Sequence, residues 1–588
     1  MHPRCSSAHA VEELWTLAHA STHSVRPRLS LSKPLRTLWR LHFSSSASDY
    51  EGKKVAVIGG GITGLATAYH LAKDPSTRVT LWERLDRLGG WLESENIEVD
   101  DAGGRVLFDY GPRTLRATAG AFSTFELIKE LGLEKEILRT GIHDAASRNR
   151  YIYYPDHLVR LPGPQPGAGL LVNLISNSLS LFTEPALKSI PWAVAMEPLR
   201  PKRDKDLEDE SVAEFVTRRL GKAVTDNIVS AVFHGIYAGD IYQLSAKTLL
   251  PRIWQLEVSS RGIFRSLLDR SRIHVPYEMY HERQLIRAEK GPAFFAEAGT
   301  YLDGASVFSL KGGMGQLVEG LVTSLSRSSN VEIKMKSTIS LMNRNVSGLR
   351  IESNDGGHHE YDYVVSTTPS QELHRQMEPS FKHTDAFTFL GDQNYAVHVM
   401  VVNLFFKTPD LVPVHGFGYL IPRSIPLEQN PERALGVVFM SDSNIGQDTA
   451  QGTKLTVMMG GHWWDGWKDG DFPDEDSGIQ MAKAVVERHL QITEEPIIAT
   501  ARLLKNAIPQ YTVGHTSRMR DLHAALSQEI PGLKLAGAWY TGVGVNDCTR
   551  AARLTAHSIL ADKRGETGLE RYLDEYIAGY EATVQKPR

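Results

Sequence analysis

The chain has 588 residues, of which 41% are hydrophobic and 23% charged. That length predicts two or three domains, and that balance excludes wholesale disorder. No run of roughly eighteen apolar residues occurs, so no membrane-spanning helix is predicted, and a formal charge of −4 gives no basis for nucleic-acid binding.

The first 48 residues differ from the rest. Arg4, Arg26, Arg28, Lys33, Arg36 and Arg40 face only Glu12 and Glu13, a local charge of +4 that leaves −8 on the remainder. A basic, Ser-rich, acid-poor leader without a continuous apolar core has the composition of a mitochondrial transit peptide; a basic tail with no address is the alternative. The two cysteines are Cys5 and Cys548. With Cys5 in the leader, no internal disulfide is expected, and no Cys/His cluster has metal-ligand spacing.

Order begins at Lys53. Val55-Ala56-Val57-Ile58 is a continuous apolar run, as a strand buried on both faces requires. Gly59, Gly60 and Gly61 follow, with Ile62 and Thr63 leading to Gly64. Ile62, Leu65, Tyr69 and Ala72 then recur at helical spacing until Asp74-Pro75-Ser76, and Val79-Thr80-Leu81-Trp82 is a second strand ending at Glu83. Gly59, Gly61 and Gly64 form G-x-G-x-x-G. The first permits the turn, the second lets a diphosphate reach the backbone, and the third lets helix and strand pack closely. Glu83 stands nineteen residues beyond Gly64, where a carboxylate accepts hydrogen bonds from both ribose hydroxyls and repels a 2′-phosphate. The pattern alone is weak, but the strand before it, the helix after it and the acid beyond it predict a site for a non-phosphorylated adenine dinucleotide.

Residues 120–290 read as mainly helical, interrupted by a strand near Arg150–Tyr154. Within 170–182, Leu171, Leu174, Ile175, Leu181 and Phe182 oppose Asn173, Ser176, Asn177 and Ser180. The apolar run Ile190–Met196 and the basic residues Arg200, Lys202 and Arg203 follow. This reads either as a membrane-interface element or as a helix packed on the protein's own core. Residues 200–211 alternate in charge and predict a solvated loop. Short strands are expected from 296 to 370, and a strand-dominated region from 385 to 530 that includes Ala396–Phe406, Leu435–Met440 and Leu455–Met459. Within it, Gly461-His462-Trp463-Trp464 reads as a strand end whose histidine has no ligand partner at useful spacing. Leu533–Gly537 restores a buried strand, a Gly-rich loop follows, and a helix is predicted over 547–562. The chain therefore leaves its first domain and returns to it.

The choice of dinucleotide rests on a resemblance. Glu83-Arg84 runs into Arg87-Leu88-Gly89-Gly90-Trp91, and near the other end stands Ala536-Gly537-Ala538-Trp539-Tyr540-Thr541-Gly542-Val543-Gly544-Val545-Asn546-Asp547. These resemble the R-x-G-G motif and the second flavin-contacting segment of the amine-oxidase-like flavoproteins. Phe108-Asp109-Tyr110-Gly111-Pro112-Arg113, Phe233-His234-Gly235-Ile236-Tyr237-Ala238-Gly239-Asp240, Lys311-Gly312-Gly313-Met314 and Ile508-Pro509-Gln510-Tyr511 resemble the protoporphyrinogen oxidase family within that superfamily.

The resemblance implies an α/β (α+β overall) fold. A Rossmann-like FAD domain would be assembled from 53–118, 296–370 and 531–565. A mainly helical membrane-binding region with part of the substrate domain would span 119–290, and a mainly β substrate domain 371–530, with a tail over 566–588. It implies non-covalent FAD held by Gly59 to Gly64, Glu83, Arg84, Arg87, Gly89, Gly90, Trp91, Gly111, Pro112, Trp539, Gly542, Val543, Gly544 and Val545. Cys548 is then a buried thiol rather than an attachment point. It implies oxidation of protoporphyrinogen IX to protoporphyrin IX, the penultimate step of haem synthesis, in three two-electron flavin cycles with O₂ as acceptor and hydrogen peroxide released. Arg113 is implied to pair with a propionate, Gly235 to lie against the substrate, and Leu373 to sandwich the ring; Arg116 is the neighbour that competes with Arg113 for its role. No catalytic side chain is required, since the flavin carries the redox step. The implied location is the inner mitochondrial membrane on its intermembrane-space face, bound to the membrane surface without spanning it. Direct product transfer to a ferrochelatase and a homodimer are left open. An amine or polyene oxidase on the same fold, or a non-catalytic binding protein on this scaffold, are the rival readings.

Overall fold

A computed structural model describes residues 52–100, 103–163, 180–257, 262–263, 276–345, 348–382, 385–392 and 395–573. The leader, residues 170–179 of the amphipathic stretch and the tail beyond 573 lie outside the described residues.

The strand–helix–strand unit forms as its pattern predicts. Strand β1 (Lys54–Ile58) leads into helix α1 (Ile62–Ala72) and strand β2 (Arg78–Trp82). Asp74 ends the helix by accepting from the Ser76 N–H at 3.0 Å. Three distant segments complete the sheet: β3 (Val331–Lys334), β4 (Tyr363–Ser366) and β5 (Leu533–Leu535), in the order β3-β2-β1-β4-β5. Every pairing is parallel. Helix α2 (Val545–Leu560) packs on α1 and covers one face. Val55, Val57, Leu81 and Val365 are accordingly fully buried. This is a mixed α/β fold with a parallel sheet of Rossmann type.

The segment 296–370 is not all strands. Helix Gly315–Ser326 lies within it, because Leu317, Leu321 and Leu325 recur at helical spacing and are buried in the same core as α1. Helices Glu475–Leu490 and His515–Glu529 likewise interrupt the strand-rich region. That region contributes to a seven-stranded sheet in which Ala396–Phe406 pairs antiparallel with the edge strand Ile498–Pro509 on one side and with Thr453–Gly460 on the other. The strand near Arg150 joins it as well, as Tyr151–Tyr153 pairs parallel with Gly418–Leu420.

The described part of the helical region has its own core, built from Ile190, Ala193, Phe215, Val216, Phe233 and Trp254 among others. Within 200–211 the chain is a loop with Lys202, Asp204, Lys205, Asp206 and Glu208 exposed, as the charge pattern predicts, while Arg203 and Glu210 turn inward. The Arg203 guanidinium lies 3.9 Å from the centre of the Trp254 ring and pairs with buried Glu257 at 2.9 Å. Arg218 bridges Glu257 and Glu210, and Arg219 pairs with Glu197. Helices converge here, so each of these inward charges is held by another rather than by water. Removing one member of a buried pair strands the other in low dielectric. Arg219→Met is therefore expected to destabilise the protein by about 3–5 kcal/mol, read as a lowered urea midpoint of the helical-region signal. An unchanged midpoint would show that Glu197 finds another partner.

Candidate active site

The dinucleotide cleft is built from backbone that tolerates no side chains. Gly59 has φ +104°, and a Cβ there would stand 2.5 Å from Thr367 Oγ1. A Cβ on Gly64 would meet the Gly59 carbonyl oxygen at 1.9 Å, which is how closely α1 approaches the turn. Gly61 is the exception. It precedes α1 with extended backbone, no side chain caps the helix, and a Cβ there would find nothing nearer than Gly90 Cα at 3.9 Å. The space beside Gly61, at an uncapped helix N-terminus, fits a diphosphate. Ile62 and Thr63 are buried in the first turn of the helix.

Glu83 is buried at the end of β2. Its Oε2 accepts from the Gly60 N–H at 2.7 Å and its Oε1 from the Leu85 N–H at 2.8 Å. Each oxygen keeps a second lone pair for a ribose hydroxyl. The Arg87–Trp91 loop folds over the turn, with the Gly89 N–H donating to the Gly60 carbonyl at 2.8 Å. Arg87 donates to the Gly90 carbonyl at 2.6 Å and pairs with Glu93 at 3.3 Å, so it holds the loop; Arg84 is exposed.

The segment after β5 meets this turn from the other side. A Cβ on Gly537 would lie 3.0 Å from Thr63 Oγ1. Gly542 has φ +141° and packs against the Asp547 side chain, and Gly544 starts α2. The C-terminal residues Arg571 and Tyr572 hold this segment by donating to the Thr541 and Tyr540 carbonyls. Trp539 is buried in the core beneath it. Cys548 is buried, and burial pushes its thiol up to about 12, which makes it a poor nucleophile.

Beyond this segment lies a cavity of about 760 Å³, towards the upper end of the roughly 300–1,000 Å³ usual for ligand sites. Trp91, Gly111, Pro112 and Arg113 line one side, Gly235 another, and Val543, Gly544 and Val545 a third. The seven-stranded sheet supplies an apolar wall including Val399, Val401 and Met458. Gly235 sits on helix Ser230–Tyr237, where a Cβ would press to 2.8 Å from the Leu420 side chain. Leu373 is not in the cavity. It is fully buried on the inner face of helix Ser370–Gln376, among Phe387, Leu390 and Met377, so it packs the core instead of sandwiching a ligand.

The charged lining decides what this cavity can hold. Among the described residues, seven arginines line it (Arg113, Arg116, Arg150, Arg252, Arg283, Arg550 and Arg571) against two acids, Glu278 and Asp547. Both acids are engaged: Asp547 pairs with Arg550 at 2.9 Å and Glu278 with Arg571 at 3.2 Å. Arg113 is the most telling. Its Nη1 touches only the Met458 sulfur at 3.7 Å, while Nε and Nη2 are buried without a hydrogen-bond partner. Burial pulls its pKa down to about 10, against the opposing pull of Asp109, so it remains a cation at neutral pH. Arg116 is also brought down to about 10 by burial and makes no ion pair among the described residues. A buried cation without a hydrogen-bonded anion is costly, and a carboxylate-bearing ligand removes that cost. Sequence reasoning missed Arg150, Arg252 and Arg283, which come from separate segments and share no local pattern.

It also left His462 without a partner. The structure sets its Nε2 2.8 Å from His234 Nε2, and His234 Nδ1 lies 2.7 Å from the Ile421 carbonyl. Burial lowers His234 to about 4 and His462 to about 3, so both are neutral. His234 then donates from Nδ1 and accepts at Nε2 from His462. No group of three or more potential metal ligands occurs among the described residues.

Residues 62–560 match the model of the flavin-containing amine oxidoreductases. The chain is 33% identical to the protoporphyrinogen oxidase of Schizosaccharomyces pombe, over 86% of this chain and 98% of that one. It is also 33% identical to that of Homo sapiens, over 87% and 98%. A coproporphyrinogen III oxidase of Staphylococcus aureus matches at 24% identity over 87% and 99%. Among solved structures, a provisionally assigned protoporphyrinogen oxidase from Exiguobacterium superimposes with a TM-score of 0.64 at 22% identity, covering 87% of this chain and 99% of that one, which speaks for the fold. The turn built for a diphosphate, the cavity beside it and these matches lead to one assignment: the chain belongs to the flavin-containing amine oxidoreductase family and is an FAD-dependent oxidase of its protoporphyrinogen oxidase branch.

Proposed function

We propose that this chain oxidises protoporphyrinogen IX to protoporphyrin IX, holding FAD without a covalent bond and passing the electrons to O₂. The observation that carries this reading is the Arg113 guanidinium, buried at the cavity wall with two nitrogens unsatisfied. The substrate is a large apolar macrocycle with two propionates, and the cavity offers an apolar sheet wall and an excess of arginines. An amine substrate is a cation and would be repelled by the same wall.

Bound FAD supplies the two-electron acceptor for each of three cycles, with hydrogen peroxide as the reduced product of O₂. The chain does the rest. Gly61 and Gly90 leave room for the diphosphate at the start of α1, and Glu83 takes the ribose. The turn Gly542–Val545, held by Arg571 and Tyr572, gives Val543, Gly544 and Val545 to one side of the cavity, and these residues would hold the flavin ring. Arg113 fixes one propionate, with Arg116 close behind it in sequence, while Gly235 keeps a side chain out of the space beside Leu420. Since the two acids of the lining are committed to Arg550 and Arg571, the pyrrole protons released on aromatisation leave to water. Cys548, a buried thiol of high pKa, is no attachment point.

We further propose that the leader directs the chain to the mitochondrion and that the helical region seats it on the inner membrane. The FAD domain comprises 53–118, 296–370 and 531–565, and the substrate domain is built around 371–530. Phe182, Trp192 and Leu199 support the membrane reading, being 71%, 66% and 76% exposed. Arg203 cannot serve a headgroup there, because it is held by Glu257 and Trp254. Among the described residues no helix is long and apolar enough to cross a membrane.

The reading is tested by adding protoporphyrinogen IX to the yellow protein in air and following porphyrin fluorescence and peroxide, with coproporphyrinogen III in parallel. A fluorescence rise proportional to enzyme, with three peroxides per porphyrin, is expected for the first substrate. A faster rise with coproporphyrinogen III, which carries four propionates, would move the chain to that relative's chemistry. Gly61→Val should fill the diphosphate space and yield a folded but colourless protein; a variant that stays yellow would misplace the cofactor. Replacing Phe182, Trp192 and Leu199 together by serine should release the protein from anionic vesicles in a flotation assay while leaving activity in detergent intact. Undiminished flotation would move the contact elsewhere.

A further inference from the structure

A second, smaller cavity of about 60 Å³ lies inside the helical region. Its walls are Ile190, Ala193 and Val194 from helix Ile190–Met196, residues of helix Val212–Leu220, and Val232 and Phe233 from helix Ser230–Tyr237. Among the described residues its charged lining residues are Glu197 and Arg219, which pair with each other. Glu197 Oε2 and Arg219 Nε are buried without a hydrogen-bond partner, but the surface of the chamber is almost wholly apolar and gives a water few partners, so it favours a small apolar guest.

Its position is as informative as its lining. Leu161 lines both this chamber and the large cavity. Helix Ser230–Tyr237 presents Val232 and Phe233 to the chamber and Gly235, Ile236 and Tyr237 to the large cavity. Leu249 and Leu250 divide between the two in the same way. The partition is thus one layer of side chains. The opposite wall is the helix that carries Trp192 on its exposed side.

We infer that this chamber is a binding site for molecular oxygen on a side route from the surface near Trp192 to the active cavity. The argument rests on the function proposed above. Three turnovers on one macrocycle need three oxygen molecules, and a bound macrocycle fills the large cavity through which they would otherwise come. Each O₂ takes two electrons and two protons from the reduced cofactor and leaves as hydrogen peroxide, so a fresh one must arrive every cycle. A small apolar gas gives up no hydrogen bonds on entering an apolar chamber and gains dispersion contacts there.

The test uses full-length, FAD-loaded protein and xenon as an apolar probe. Xenon-pressurised crystals are expected to show one atom among Ala193, Val216 and Val232. Ala193→Leu and Val224→Leu, which fill the chamber, should slow reoxidation of the dithionite-reduced protein by O₂ several-fold and leave anaerobic bleaching by protoporphyrinogen IX at the parent rate. A chamber empty of xenon, or yellow variants that reoxidise at the parent rate, would overturn the inference. Should neither variant retain flavin, xenon pressure on the parent decides: slowed reoxidation supports the site, and an unchanged rate refutes it. Absence of bleaching by the porphyrinogen would instead count against the substrate reading, and the dithionite measurement would still stand.

Discussion

Everything in this molecule hangs from the contact between Gly64 and the Gly59 carbonyl. A methyl group at Gly64 would sit 1.9 Å from that oxygen, so helix α1 lies as close to the strand end as two backbones allow. That closeness aims the helix N-terminus at the open space beside Gly61. It also lets Gly537, arriving from the far end of the chain, come against Thr63. The parallel sheet is completed only when β4 and β5 return to β1, so the regions between them are carried out as excursions and brought back. The substrate-side cavity forms where these excursions meet the cofactor turn.

The second constraint is charge. Folding has buried a cation at Arg113 and given it no hydrogen-bonded anion: Asp109 acts on it only through space, and the two acids of the cavity lining pair with Arg550 and Arg571. Isolated buried charges are destabilising, so a protein that retains one pays for it with stability that a ligand restores. The apolar sheet wall raises the strength of that interaction by excluding water. Together they describe a ligand with a greasy body and acidic ends.

The sequence made the cofactor half of the site readable and the substrate half only partly so. Gly59, Gly61, Gly64 and Glu83 act within thirty residues of one another, and each has a local reason that spacing reveals. Arg113 and Gly235 were reached through resemblance. Arg150, Arg252 and Arg283 come together only through tertiary packing. The same is true of His234 and His462, whose hydrogen bond no spacing rule anticipates. Leu373 was misassigned because an apolar residue after a strand serves a core or a pocket equally well, and only burial tells them apart. The exposed charges of 200–211 were legible as a solvated loop, but the inward turn of Arg203 onto Trp254 and Glu257 was not, since a pattern of alternating signs does not show which partners lie across the fold.

The central claim is that Arg113 exists to meet a substrate carboxylate. The direct measurement compares protoporphyrinogen IX with its dimethyl ester, in the parent protein and in Arg113→Leu, as kcat/KM. A charge-assisted hydrogen bond is worth about 1.5–3 kcal/mol, so the parent should prefer the free acid by roughly tenfold to a hundredfold. In Arg113→Leu most of that preference should vanish. A preference that survives the substitution undiminished would show that the carboxylates are read by other arginines, and that the unpartnered guanidinium serves another purpose.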